Sequence, residues 1–235
     1  MTILYAGDIH GNVSAAASLD AKAKQLDAVA VVQCGDFGYF WPGQHKLQQY
    51  FEKRERQGKA GTPWYFCDGN HEQFPRLDFE WHQKGQPDVV ELAKNVFHVR
   101  RGVALEIGGI KHVFCGGATS IDKHMRLQGE SWWAEEEPTA EEYLRFFDAI
   151  QIHKPDVIVT HEAPSFVPLY KSARKNDPVA HNLQRILTLS DHRPKRWYFG
   201  HHHILSSWST VADVVFFSCG LEGQYFEGAS VQTQE

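Results

Sequence analysis

The sequence predicts an α/β fold in which two β-sheets pack together with helices outside. Two observations lead there. The N-terminal half alternates strand and helix signals in the order β-α-β-α-β, which implies parallel strands joined by right-handed crossovers. The last third repeats this alternation after a group of short, closely spaced strands.

Taken in order, Ile3 to Ala6 is a strand. Val13 to Leu26 then places Ala16, Leu19, Ala23 and Leu26 at helical spacing. Val29 to Cys34 is an apolar run, the pattern of a strand buried on both faces. Gln44 to Gln57 is helical, with Leu47, Tyr50 and Phe51 on one side, and Pro63 to Cys67 is the next strand. Val96 to Val99, Val103 to Ile107 and Lys111 to Cys115 are short strands. Their joints, Arg100-Arg101-Gly102 and Gly108-Gly109, suit hairpin turns.

Gly116 to Pro138 is loop-rich. Thr139 opens a helix with Glu142 three residues later, a capping-box pattern. Tyr143, Phe146, Phe147 and Ile150 share one face of it, and Pro155 marks its end. Val157 to Thr160 is a buried strand, and Val179 to Leu189 a helix with Leu183, Ile186 and Leu187 on one side. Trp197 to Phe199 is a strand that runs into three histidines, and Val211 to Cys219 adds more strand. The tail over 228–235 is polar and is expected to fray. No linker or repeat interrupts the pattern, so 1–235 are expected to form one domain.

A chain of 235 residues, 42% of them hydrophobic, can bury a substantial core. The formal net charge of -5 argues against a strongly nucleic-acid-binding or polybasic membrane protein. Anionic substrates remain compatible, because bound divalent cations invert the local sign. The start, MTILYAGD, has no basic and apolar leader pattern, and no apolar run is long enough to span a membrane. Cys34, Cys67, Cys115 and Cys219 form no C-x-x-C pair, and each closes an apolar run. Buried, reduced thiols and a cytoplasmic location follow as the expectation.

Eight residues at five strand ends carry the chemistry: Asp8 and His10 in GDIHGN, Asp36 in CGDFG, Asn70 and His71 in DGNHE, His161 in VTHEAP, and His201 and His203 in FGHHH. A lone histidine, in a chain with 14, says little. Five clusters at equivalent positions, all offering hard N/O ligands, point to a dinuclear metal site and metal-assisted hydrolysis. Asp8 and His10 are two apart, as are His201 and His203, and residues i and i+2 of an extended segment point the same way. On that geometry Ile9 and His202 point elsewhere. Asp36 is the natural bridge, since a carboxylate can hold two cations roughly 3.5–4 Å apart. Gly7, Gly35, Gly69 and Gly200 precede these ligands and suit tight strand exits.

The motifs Asp8-Ile9-His10, Gly35-Asp36, Gly69-Asn70-His71-Glu72, His161 and Gly200-His201-His202-His203 resemble those of the calcineurin-like metallophosphoesterases, over residues 7 to 203. The resemblance implies a four-layer α/β/β/α sandwich of two mixed sheets. It implies that one metal takes Asp8, His10, Asp36 and His203, and the other Asp36, Asn70, His161 and His201. His71 would stay off the metals as general acid. Such a site would hydrolyse phosphoesters by attack of a metal-bridging hydroxide. The donor set suits Mn²⁺ first, with Fe, Zn²⁺ or Ni²⁺ as alternatives.

The chain departs from that pattern in one place. Many relatives, the serine/threonine phosphoprotein phosphatases among them, continue as G-D-x-x-D-R-G, whereas here the segment is Gly35-Asp36-Phe37-Gly38-Tyr39-Phe40-Trp41. The acid that orients the catalytic histidine is missing, which leaves Asp68 or a backbone carbonyl as the partner of His71. The phosphate-gripping arginine is missing too, and Lys123 and Arg126 in the 116–138 loop are its candidate replacements.

Phe37, Tyr39, Phe40, Trp41, Trp132 and Trp133 are expected mainly in the core, with base stacking as the other role. The resulting expectation is a phosphodiesterase acting on small phosphodiesters or cyclic nucleotides. The alternatives are a phosphomonoesterase or protein phosphatase, a nuclease, and a non-catalytic scaffold. The sequence leaves the oligomeric state open.

Overall fold

The apolar runs become two sheets of six strands each in the computed structural model, which describes residues 1–40, 45–59, 61–169, 176–204, 207–220 and 224–227. Trp41 and the 228–235 tail lie outside the described residues. In chain order the strands are β1 (Thr2–Ala6), β2 (Ala28–Gln33), β3 (Trp64–Phe66), β4 (Val89–Ala93), β5 (Val96–Val99), β6 (Val103–Ile107), β7 (Ile110–Cys115), β8 (Val157–Thr160), β9 (Arg196–Phe199), β10 (Ser207–Val211), β11 (Val214–Ser218) and β12 (Gln224–Glu227). The helices are α1 (Val13–Gln25), α2 (Lys46–Arg56), α3 (Phe74–Gln83), α4 (Ala140–His153) and α5 (Pro178–Leu189).

One sheet runs β12-β1-β2-β3-β5-β4 and the other β10-β11-β9-β8-β7-β6. The inner strands of each are parallel, and each edge strand is antiparallel to its neighbour.

Side-chain alternation builds the layers. Val32 and Cys34 face the space between the sheets with Tyr5, Phe114, Val159 and Tyr198. Val31 faces the other way, onto Leu19, Leu47, Phe51 and Leu77 of α1, α2 and α3. In the second sheet Val113, Ile158 and Trp197 pack outward on Phe146, Ile150 and Leu183 of α4 and α5. Both faces of the central strands are therefore buried, which is why they read as apolar runs rather than alternations. Each fully buried large side chain contributes roughly 1.5–3 kcal/mol. Between the sheets the Tyr5 and Tyr198 rings stack at 3.6 Å. The layers are α/β/β/α.

The Thr139–Glu142 capping box forms as read. Thr139 Oγ1 accepts from Glu142 N at 3.2 Å, and Glu142 Oε2 accepts from Thr139 N at 2.8 Å. Asn12 Oδ1 caps α1 by accepting from Ser14 N and Ala15 N. Gly108 and Gly109 form the β6–β7 turn with both φ angles positive.

The Arg100-Arg101-Gly102 joint is not a hairpin. β5 pairs with β3 and β4 in one sheet, whereas β6 pairs with β7 in the other, so the chain switches sheets there. Arg101 is buried at the switch, bonded to Asp68 and Glu142. α3, β4, β10 and β12 are additions to the elements expected from sequence. Phe74 and Leu77 are the buried residues of α3, so its apolar stripe is thin. No helix among the described residues is long and apolar enough to cross a membrane.

Candidate metal centre

β1, β2, β3, β8 and β9 run parallel within their sheets, and the ligand candidates follow their carboxyl ends. Asp8 and His10 follow β1, Asp36 follows β2, Asn70 and His71 follow β3, His161 follows β8, and His201 and His203 follow β9. The structure brings all eight together. Two overlapping groups, Asp8, His10, His203 and Asp8, Asp36, His161, each place their ligand atoms within 4.8 Å of one another.

The convergence has a different origin from the i, i+2 alternation of an extended strand. The strands end at Ala6, Gln33 and Phe199, and the ligands lie in the turns that follow. His10, Asp36, His201 and His203 have φ of 46°, 54°, 65° and 48°. Such left-handed conformations cost roughly 1–3 kcal/mol each in non-glycine residues and collect at functional sites. The turns are tied across the cluster, since Ile9 N and His10 N both donate to Asp36 O, at 3.2 and 2.9 Å. Two of the glycines are required by close approach. A Cβ on Gly69 would overlap Asp36 Oδ1, and one on Gly200 would overlap Asp8 Oδ1.

On one side of the cluster, His10 Nε2 and His203 Nε2 lie 2.9 Å apart. Asp8 Oδ2 is 2.9 Å from the second and 3.6 Å from the first. On the other side, His161 Nε2 is 3.0 Å from Asn70 Oδ1 and 3.5 Å from Asp36 Oδ2. Asp36 sits between the two, with Oδ2 3.7 Å from His10 Nδ1 and Oδ1 accepting from His71 N at 2.8 Å. The His201 ring packs edge-on to His161 at 4.9 Å, and His201 N donates to Asp8 Oδ1 at 2.8 Å.

The electrostatics call for a cation. His161 Nδ1 donates to Cys34 O at 2.8 Å, and Asn70 Nδ2 donates to Ser120 Oγ at 2.9 Å. Those bonds turn His161 Nε2, Asn70 Oδ1 and a carboxylate oxygen toward one point, where a proton or a metal must mediate. Burial works against a charged His161, yet Asp36 and Asp8 push its pKa up to about 10. Burial favours neutral Asp36, yet His161, His71 and His10 hold it well below the usual carboxylate range. Burial and the charge of His161 bring His201 down to about 4, leaving it neutral for ligation. Buried carboxylate, amide and imidazole donors around shared points fit divalent cations, which displace the imidazole proton on binding.

His71 is placed by its backbone against Asp36, and its Nε2 lies 3.0 Å from Arg126 Nη2. Burial lowers its pKa, Asp36 opposes this, and Arg126 adds to the lowering. The structure thus brings Arg126 to the general-acid candidate. Lys123 is elsewhere engaged, with Nζ 3.1 Å from Glu137 Oε1, and is about half exposed at 47%. The Asp68 carboxylate is taken by Arg101 at 2.6 and 2.8 Å and by His98 at 3.3 Å. Phe37, Tyr39 and Phe40 are buried in the outer core of the first sheet, and Trp133 is buried as well.

Two carboxylates beside the ligands carry structural roles that the sequence did not reveal. Glu72 Oε1 accepts from Phe37 N at 2.7 Å, which fixes the turn after Asp36, and burial pushes its pKa up to about 8. Glu162 Oε1 accepts from His202 Nε2 at 2.7 Å, and its Oε2 is 3.6 Å from His201 Nε2. His202 is thus a buried neighbour of the ligand set. The available clue was an acid directly after a site histidine at a strand exit, as in His71-Glu72 and His161-Glu162.

The model of the calcineurin-like phosphoesterases matches residues 1–205. A search of curated proteins gave no match. Among solved structures, a Thermus thermophilus protein aligns at 14% identity and TM-score 0.59, over 94% of this chain and 90% of its own. An inner-membrane-complex anchor of Plasmodium aligns at 13% and 0.57, over 94% and 71%. The sulfate thiohydrolase SoxB of Thermus thermophilus aligns at 10% and 0.52, over 95% of this chain and 53% of that one. These likenesses establish the fold, and their diverse names show that the fold alone fixes no substrate. With most of its length matched by the family model, the chain belongs to the calcineurin-like phosphoesterase family.

Proposed function

We propose that the chain is a cytoplasmic phosphodiesterase that holds two divalent cations and cleaves small phosphodiesters or nucleotides, cyclic ones included. Asp8, His10, Asp36 and His203 would hold one cation, and Asp36, Asn70, His161 and His201 the other. Mn²⁺ is the first choice, with Fe, Zn²⁺ or Ni²⁺ as alternatives for the same donors. Bound there, the cations supply charge neutralisation and activation of water near neutral pH.

The observation that carries the reading is the pairing of Arg126 with His71. Arg126 donates to His71 Nε2, so that nitrogen carries no proton in this arrangement; when substrate enters, Arg126 would transfer to a phosphoryl oxygen, and His71 would take up a solvent proton at Nε2 and pass it to the departing alkoxide. The segment after Asp36 packs Phe37, Tyr39 and Phe40 into the core, so it offers no arginine to a phosphoprotein. A cytoplasmic location is supported by four free, buried cysteines.

Rates with added Mn²⁺ on bis(p-nitrophenyl) phosphate and on p-nitrophenyl phosphate test the reading, followed by a panel of cyclic and linear nucleotides. The diester is expected to be the better substrate by kcat/KM. A preference for the monoester would replace this reading with a phosphomonoesterase.

A further inference from the structure

The amide of Asn70 is held from behind by the 116–138 loop. Asn70 Nδ2 donates to Ser120 Oγ at 2.9 Å, and Ser120 Oγ donates onward to Glu136 Oε2 at 2.7 Å. Ser120 N donates to Glu136 Oε1 at 2.9 Å. Asn70, Ser120 and Glu136 are 4%, 2% and 0% exposed, so water does not compete for these groups.

The chain of bonds has one direction. An ionised carboxylate only accepts, so the single Ser120 hydroxyl proton goes to Glu136. Ser120 Oγ is then an acceptor toward Asn70, which must present its NH₂ there and turn Oδ1 the other way. An asparagine amide has nearly the same shape in both orientations, so its hydrogen bonds decide which atom faces the site. Here they place Oδ1 toward His161 Nε2, on the ligand side.

The loop that carries this support is itself fastened to the same strand end. Arg101 Nη2 donates to Glu135 O at 2.7 Å and to Asp68 Oδ2 at 2.6 Å. Gly117 N donates to Asp68 O at 2.9 Å, and Ala118 N donates to Glu136 O at 3.1 Å. Asp68 is two residues before Asn70, so ligand and support share one frame.

We propose that Ser120 and Glu136 are positioning residues that lock the Asn70 amide with Oδ1 toward the metal, and so set the affinity of the cation that Asn70 shares with Asp36, His161 and His201. This rests on the reading of Asn70 as a ligand. Neither Ser120 nor Glu136 meets substrate or metal. Glu136→Gln is the informative variant, because it keeps the shape and reverses the pattern. A glutamine NH₂ facing Ser120 frees the hydroxyl proton to point at Asn70, which favours the flipped amide.

The test is Mn²⁺ titration of the chelator-stripped full chain by calorimetry, with electron paramagnetic resonance, on wild type, Ser120→Ala, Glu136→Gln and Asn70→Ala. Both support variants are expected to bind one Mn²⁺ like wild type and the second about 10–100-fold more weakly. The exchange-coupled signal of paired ions should give way to that of isolated Mn²⁺. Ser120→Ala removes one oxygen and leaves the fold to read beside Glu136→Gln. A lowered melting temperature with unchanged second-site affinity in both would overturn the proposal and leave Asn70 as ligand. Wild-type binding by Asn70→Ala would overturn the ligand reading, and the proposal with it.

Discussion

Arg126 Nη2 stands 3.0 Å from His71 Nε2, and Asp122 holds the same nitrogen through both carboxylate oxygens at 2.8 and 2.9 Å. The guanidinium is thus placed before substrate arrives, and its side chain is only 14% exposed. Arg126→Ala is expected to lower kcat/KM on a diester about 10- to 150-fold, the size of a lost charged hydrogen bond of roughly 1.5–3 kcal/mol. Asp122→Asn, which loosens the hold at the surface, is expected to cost only a few-fold. Lys123→Ala should leave KM near wild type, because its ammonium lies on Glu137. Steady-state kinetics on the three variants check the ranking, and an unchanged kcat/KM for Arg126→Ala would remove it from the substrate site.

His71 bonds Asp36 through its backbone N, so that bond survives removal of the side chain. His71→Ala is expected to keep both metal equivalents. It should lose about 10²–10⁴-fold in turnover on alkyl diesters, the typical contribution of a placed general acid. On p-nitrophenyl esters, whose leaving group needs little protonation, the loss should be far smaller. Metal analysis and the two substrate classes decide, and loss of metal from this variant would make His71 a ligand instead.

Gly69 and Gly85 offer a separation of two glycine roles. A Cβ on Gly69 would strike Asp36 Oδ1, whereas Gly85 has φ +82° and open space around it. Gly69→Ala is expected to weaken metal binding at least tenfold, because the Asp36 carboxylate, the proposed bridge, must move. Gly85→Ala is expected to lower stability by roughly 1–2 kcal/mol through backbone strain and to leave metal binding unchanged. Metal titration beside urea unfolding reads both effects. Equal metal affinity in Gly69→Ala and wild type would show that the turn tolerates the displacement.

The clustering of Asp8, Asp36, His161 and His203 is legible in the sequence because each follows an apolar run and offers a donor suited to one shared site. The left-handed turns that aim His10 and His201 were not readable, since spacing carries no φ angle. The joint at Arg100–Gly102 has turn composition in either case. Whether the next strand pairs back or changes sheet depends on the distant Asp68 and Glu142. Ser120 and Glu136 are separated from Asn70 by 50 and 66 positions in a loop without periodicity. Their partnership exists only once the segments that follow β3 and β7 meet, where Gly117 N donates to Asp68 O.

That packing also buries His112 between the sheets, where Tyr5 Oη donates to Nε2 at 2.7 Å and Nδ1 donates to Ile110 O at 2.9 Å. Burial brings its pKa down to about 4, against the opposing bond to Ile110. An unfolded histidine titrates near 6.5, so between these values the unfolded chain binds the extra proton. The stabilising contribution is therefore complete above about pH 6.5 and is lost as pH falls toward 4. At about 1.36 kcal/mol per pH unit, His112 costs about 2 kcal/mol between pH 6.5 and 5. Glutamine at this position can still accept from Tyr5 and does not titrate. His112→Gln should start less stable at pH 7 and then lose about 2 kcal/mol less than wild type on acidification. Urea midpoints measured in parallel from pH 7 to 5 isolate this difference from the titrating groups that both proteins share. Parallel curves would mean that His112 reaches its proton without unfolding the sheets.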